Sequence, residues 1–137
     1  MNYPYQIISN DPLVPPAPIL RVRLMHPDRT RDRIYELDAF LDTGADGTLI
    51  PLEVVSVLQL PLLDGRVPVA GVGGGMTKGF PCQANLAIGP FSFSLLELIA
   101  CESIAIGGYD QMIIGRDVLN QCCIKFDGLR EQFSFED

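Results

Sequence analysis

Apolar and polar residues alternate with period two along much of the chain, and proline or glycine cuts each run short. That is the pattern of strands joined by turns. In Ile34–Leu41, the residues Tyr35, Leu37, Ala39 and Leu41 fall on one side, with Glu36 and Asp38 on the other, as in a strand with one buried face. This run and Ile19–Met25 flank the charged, proline-containing segment 26–33, which predicts a hairpin. Residues 51–60 break the alternation. There Leu52, Val55 and Leu58 recur near helical spacing after Pro51, so a short helix is expected. Further strands are expected over 67–72 and 79–88, on either side of a glycine cluster, with 91–100 joined to the second through Gly89-Pro90. Residues 112–114 read as an apolar strand ending at Gly115, residues 116–121 as one or two helical turns, and 124–126 and 132–135 as closing strands. The expected class is mainly β, one lobe with short helices.

Composition narrows this to a single folded unit. The chain has 137 residues, 47% hydrophobic and 20% charged, which suits one globular domain rather than a disordered tail. Residues 1–18, with proline at 4, 12, 15, 16 and 18, are expected to form an irregular arm ahead of a folded domain at 19–137. A net charge of -7, with the 10 Lys and Arg spread along the chain, offers no basic surface to nucleic acid or an anionic membrane. The most apolar stretch, 91–100, contains Glu97 and is far shorter than the ~20 residues that span a bilayer. The first residues lack the basic and apolar regions of a secretory signal, so a cytoplasmic location is expected. Cys82, Cys101, Cys122 and Cys123 make no C-x-x-C pair, and the lone His26 sits in a polar turn. Neither a metal nor a cofactor is expected, and the cysteines read as buried thiols in a reducing compartment.

The chemistry-bearing segment is Phe40-Leu41-Asp42-Thr43-Gly44-Ala45-Asp46-Gly47-Thr48-Leu49-Ile50. An apolar strand delivers a carboxylate into a sharp turn, glycine lets another backbone come close, and a second apolar strand leaves. Turn chemistry alone leaves two readings open, because Asp and Thr side chains also bond nearby backbone groups in ordinary Asx turns. Two later segments bear on the choice. About thirty residues on comes Val69-Ala70-Gly71-Val72-Gly73-Gly74-Gly75, and later still Ile113-Ile114-Gly115-Arg116-Asp117-Val118-Leu119. The glycine cluster lacks Gly-Lys-Ser/Thr and has Met76 where a dinucleotide fingerprint needs glycine, so it is no phosphate cradle.

In this order the three segments resemble the retropepsin-like aspartic proteases: catalytic loop, glycine-rich flap tip, and the apolar-apolar-Gly-Arg opening of the C-terminal helix. The resemblance covers residues 19–126 and implies an acid-protease fold that works as a closed two-fold dimer. Hydrolysing an amide without metal or covalent nucleophile needs water held between two carboxyl groups, one taking its proton and one polarising the carbonyl. Two close carboxyls cannot both ionise, so such a pair titrates in separated steps, as in the familiar case of pepsin. The chain carries one Asp-Thr-Gly only. A homodimer supplying Asp42 from each copy would complete the site.

By the same resemblance, Thr43, Gly44 and Ala45 form the active-site loop, with Thr43 bonding across the dimer axis and Gly44 offering its carbonyl to a polypeptide substrate. Asp46 would bind a substrate amide and pair with Arg116, whose fork can grip a carboxylate; Gly115 would support that turn. Val72, Gly73 and Gly74 would close over the substrate as a flap. For each, a bland reading stands beside the functional one: a local turn bond for Thr43, a solvated helix residue for Arg116, a flexible surface hairpin for the glycines. The function expected is that of an aspartic endopeptidase. The alternative is a binding module of the same fold that captures a peptide or partner without turnover. The resemblance does not cover the arm or the charged tail at 131–137.

Overall fold

The computed structural model describes residues 1–29, 31–70, 74–103, 106 and 111–136. In chain order its elements are β1 (Asn2–Pro4), β2 (Ile19–Met25), β3 (Ile34–Leu41), β4 (Leu49–Pro51), α1 (Leu52–Leu58), β5 (Val67–Ala70), β6 (Met76–Ile88), β7 (Phe91–Cys101), β8 (Gln111–Ile114), α2 (Arg116–Leu119), β9 (Cys123–Asp127) and β10 (Gln132–Glu136). The mainly β class with short helices is what the residue patterning predicts. The β2–β3 and β6–β7 hairpins form as expected, antiparallel, with Val22 opposite Leu37 and Phe80 opposite Ala100.

The main sheet runs β2-β3-β8-β4-β7-β6-β5, and β6 pairs again with β2, opposing Leu24 to Leu86. Six of its strands therefore close on themselves, which removes their edges and points one face of each inward. The enclosed core is aliphatic: Val22, Leu24, Leu37, Ile50, Leu86, Leu98, Met112 and Ile114 are fully buried. Leu37, Ala39 and Leu41 take the inward face predicted for them, and Tyr35 is half-buried. Helix α1 packs against β3, β4 and β7. Its buried stripe is Val54 and Leu58, with Leu52 and Val55 only half-buried. The expected spacing thus caught the helix and three residues that pack on the core, and missed Val54.

A second sheet, β1-β10-β9, brings the two chain ends together. The arm expected to be irregular contributes a strand here: Tyr3 opposes Phe133, and the Tyr5 N–H donates to the Glu131 carbonyl at 2.8 Å. Aromatic packing holds this sheet. Phe133, 1% exposed, stacks on Tyr3 at 5.3 Å between ring centres, and Phe135 meets Phe91 of β7 edge-on at 5.6 Å.

The remaining polar signals resolve into structure. His26 is buried, and its Nδ1 accepts from the N–H groups of Asp28 and Arg29, closing the β2–β3 turn. Cys82 and Cys101 are buried thiols as expected, and loss of hydration pushes them up to about 12 and about 11. The expectation fails at the vicinal pair: Cys122, just before β9, is half-buried, and Cys123, its first residue, is exposed.

Candidate active site

Strand β8 lies between β3 and β4, parallel to the first and antiparallel to the second, with Leu41 opposite Ile114 and Leu49 opposite Ile113. The chain leaving β3 must cross the end of β8 to re-enter the sheet as β4, and that crossing is the loop 42–48. Asp42 is its first residue, half-buried at the tip of β3. Its N–H donates to the Ile114 carbonyl at 2.9 Å, extending the β3–β8 ladder by one rung and fixing where the side chain starts. Its Oδ1 accepts from the Gly44 N–H at 2.9 Å, and its carbonyl from the Ala45 N–H at 3.2 Å. This is the Asx turn that the local sequence allows. It also orients the carboxylate, so the structural and functional readings of Asp-Thr-Gly describe one geometry.

The other wall of the loop is the segment 115–117, where β8 turns into α2. Arg116 donates its backbone N–H to the Ala45 carbonyl at 2.9 Å. Its guanidinium donates through Nη1 to the Thr43 carbonyl at 2.8 Å and pairs through Nη2 with Asp46 Oδ1. The ion pair is wet rather than partly buried, with the Asp46 side chain 94% exposed and that of Arg116 42% exposed. Gly115 passes so close to the loop that a Cβ there would stand 2.5 Å from the Gly47 carbonyl oxygen. No side chain fits that contact without moving backbone.

Two anchoring residues have no counterpart in the sequence reading. Thr48, 1% exposed, donates its hydroxyl to Asp117 Oδ1 at 2.8 Å, and the same oxygen accepts from the Gly115 N–H at 3.2 Å. The Thr48 N–H donates to Asp117 Oδ2 at 3.1 Å. The carboxylate also accepts from the Val118 N–H at 2.9 Å, at the start of α2. The only sequence signal was a polar residue next to the apolar Leu49-Ile50 and an Asp following Gly-Arg.

Asp42 opens onto a cavity on either side. One, about 420 Å³, is lined by Ile19, Phe40, Ile106, Met112 and Ile113 together with Asp38 and Gln111. The other, about 620 Å³, lies between the loop at Gly44–Gly47 and β5, with Leu49, Val69, Ile99 and Ile113 on its walls. Strand β5 pairs antiparallel with β6, Ala70 opposite Met76. Gly74 is exposed with φ 91°, a conformation that favours glycine. Val72 and Gly73 lie outside the described residues. Among the described residues no group of three or more His, Cys, Asp or Glu is placed to hold a metal ion.

Residues 32–118 match the family model for aspartyl proteases. In fold the chain is similar to the EIAV protease complexed with the inhibitor HBY-793, with a TM-score of 0.56 at 20% identity over 84% of this chain and 93% of that one. It is also similar to a retropepsin-like aspartic protease from Rickettsia conorii, with a TM-score of 0.54 at 14% identity over 85% and 80% of the two chains. Among curated proteins no sequence matches. The family match covers well over half of the chain, including the Asp42 loop, the β5–β6 hairpin and the Gly115–Arg116 turn. With its six-stranded closed sheet and an Asp-Thr-Gly loop laid across the end of β8, the chain belongs to the aspartyl protease family and has the retropepsin-like fold.

Proposed function

We propose that the chain is a homodimeric aspartic endopeptidase that cuts extended polypeptides. The observation that carries this reading is Asp42 itself. One carboxylate stands at the tip of a rigid strand, oriented by the Gly44 N–H and flanked by two largely apolar cavities. Apolar side chains of a peptide passing over Asp42 would seat in those cavities while its backbone lies across the loop. A second copy related by a two-fold axis would bring its own Asp42 alongside. Water held between the two carboxyls would give its proton to the ionised one, while the protonated one polarises the scissile carbonyl and then returns a proton to the leaving amine.

Around that centre Thr43 would tie the two loops together across the axis, and Gly44 and Asp46 would bond the substrate backbone. The β5–β6 hairpin, with Val72, Gly73 and Gly74 at its turn, would close over the peptide as a flap and exclude water. Gly115 and Arg116 would support the loop from behind, and no cofactor is required. The cytoplasm is the proposed location, since all four thiols are free and a reducing compartment keeps them so.

The test is a diverse peptide library incubated with wild-type protein and with Asp42→Asn, which is nearly isosteric but cannot take up the proton. Cleavage by the wild type and a loss of at least about 10³-fold in the variant, on the scale of a lost acid–base group, supports the reading. Equal turnover by both would overturn it. Binding of a peptide by both without cleavage by either would establish a binding module instead.

A further inference from the structure

The arm ahead of β2 is fastened to the active-site strand rather than hanging loose. Gln6 and Ala17 exchange backbone hydrogen bonds at 2.8 and 2.9 Å, so the intervening ten residues form a loop with closed ends. The Gln6 side chain donates to the Ile19 carbonyl at 3.2 Å, and the Leu41 N–H, one residue before Asp42, donates to the Pro18 carbonyl at 3.1 Å. Within the loop Asp11 makes an Asx turn to Leu13, and Pro12, Pro15 and Pro16 limit its backbone freedom. It presents Ile7, Ile8, Leu13 and Val14 to solvent, an unusual density of exposed aliphatic side chains. Of these, Ile8 lines the 420 Å³ cavity that Asp42 opens onto, opposite Phe40 and Ile113.

We propose that this loop is a wall of the substrate cleft and that Ile8 sets the size of the apolar side chain accepted beside Asp42. The inference rests on the protease reading and deepens it. The occupant is one aliphatic or aromatic side chain of the peptide adjoining the scissile bond, because Asp42 itself lines the cavity and most of the other lining residues are apolar. Ile8, two residues after Gln6, is held in the cavity lining by the Gln6–Ala17 closure. Shortening Ile8 enlarges the space, and lengthening it fills the space. A change of a few methylenes in such a pocket moves discrimination by roughly 10- to 200-fold.

The experiment measures kcat/KM on peptides with Ala, Val, Leu or Phe at each position flanking the cleaved bond, for wild type, Ile8→Ala and Ile8→Phe. Ile7→Ala is the control, since Ile7 is 83% exposed and absent from the cavity wall. At one of the two positions, Ile8→Ala raises the Phe-to-Ala preference about tenfold and Ile8→Phe lowers it by a similar factor, with Ile7→Ala neutral. Changes of the same factor on every peptide, or no change, would overturn the role of Ile8 and leave the protease reading standing. If the wild type cuts nothing, the protease reading fails, and equilibrium binding of the same peptides then decides the role of Ile8. A reciprocal shift of the binding ratio supports it; binding that is absent or indifferent to Ile8 contradicts it.

Discussion

At Thr48 one buried hydroxyl joins the loop that carries Asp42 to the turn that supports it, donating to Asp117 and accepting from Gly115. Thr48→Val keeps the shape, deletes both hydroxyl bonds and leaves the buried Gly115 N–H without its acceptor, while Asp117 keeps its bonds from the Thr48 and Val118 N–H groups. A stability loss of about 1–3 kcal/mol is expected, as for a partly buried polar group left unpaired, measured as a lower urea midpoint. Arg116 behaves differently. Partial burial of its pair with Asp46 would make Arg116→Ala costly, on the order of 3–5 kcal/mol for a fully buried pair. The observed pair is open to water, so the expected loss is about 1–2 kcal/mol, most of it from the bond to the Thr43 carbonyl. A melting measurement showing a loss above about 3 kcal/mol would mean that the pair becomes buried, as on assembly with a second copy. The Asx turn at Asp42 was legible in the sequence because a turn after an apolar strand is a local pattern, whereas the roles given to residues 42–46 came from the resemblance and not from the turn. Thr48 and Asp117 lie 69 residues apart, and no local periodicity connects them. Ile8 was hidden for the same reason, since only the folded arm brings it to Asp42.

Among the elements, β8 decides where the site is built. Its four residues are too short to be distinctive, yet lying between β3 and β4 they force the chain to cross at 42–48. Alternating polarity announced the hairpins β2–β3 and β6–β7, which are local in the chain. It could not announce the parallel β3–β8 pairing, which depends on which distant strand fills the gap. The terminal sheet was half legible. Its strands β9 and β10 were expected, whereas β1, three residues long in a proline-rich stretch, takes its conformation from pairing with β10 rather than from propensity. Phe133 stands where this sheet meets the core, in contact range of Tyr3, Tyr5 and Phe126. Phe133→Ala is therefore expected to cost about 3–5 kcal/mol, with most of that loss appearing as a reduced urea midpoint at unchanged m. A loss under about 1 kcal/mol would show that the terminal sheet is not integral to the single-chain fold.

For the whole molecule, the proposed mechanism takes one Asp42 carboxyl from each of two copies to make the acid–base pair that metal-free amide hydrolysis requires. On that proposal assembly completes the site, so activity is expected to depend on protein concentration by mass action. The most direct test mixes wild-type protein with Asp42→Asn at fixed total concentration, allows the subunits to exchange, and measures peptide cleavage. If each site needs Asp42 from two copies, random pairing leaves about one quarter of the dimers competent in an equal mixture, so activity falls to about one quarter of the all-wild-type value. Activity at about one half, proportional to the wild-type fraction, would mean that each chain works alone and would contradict the shared site.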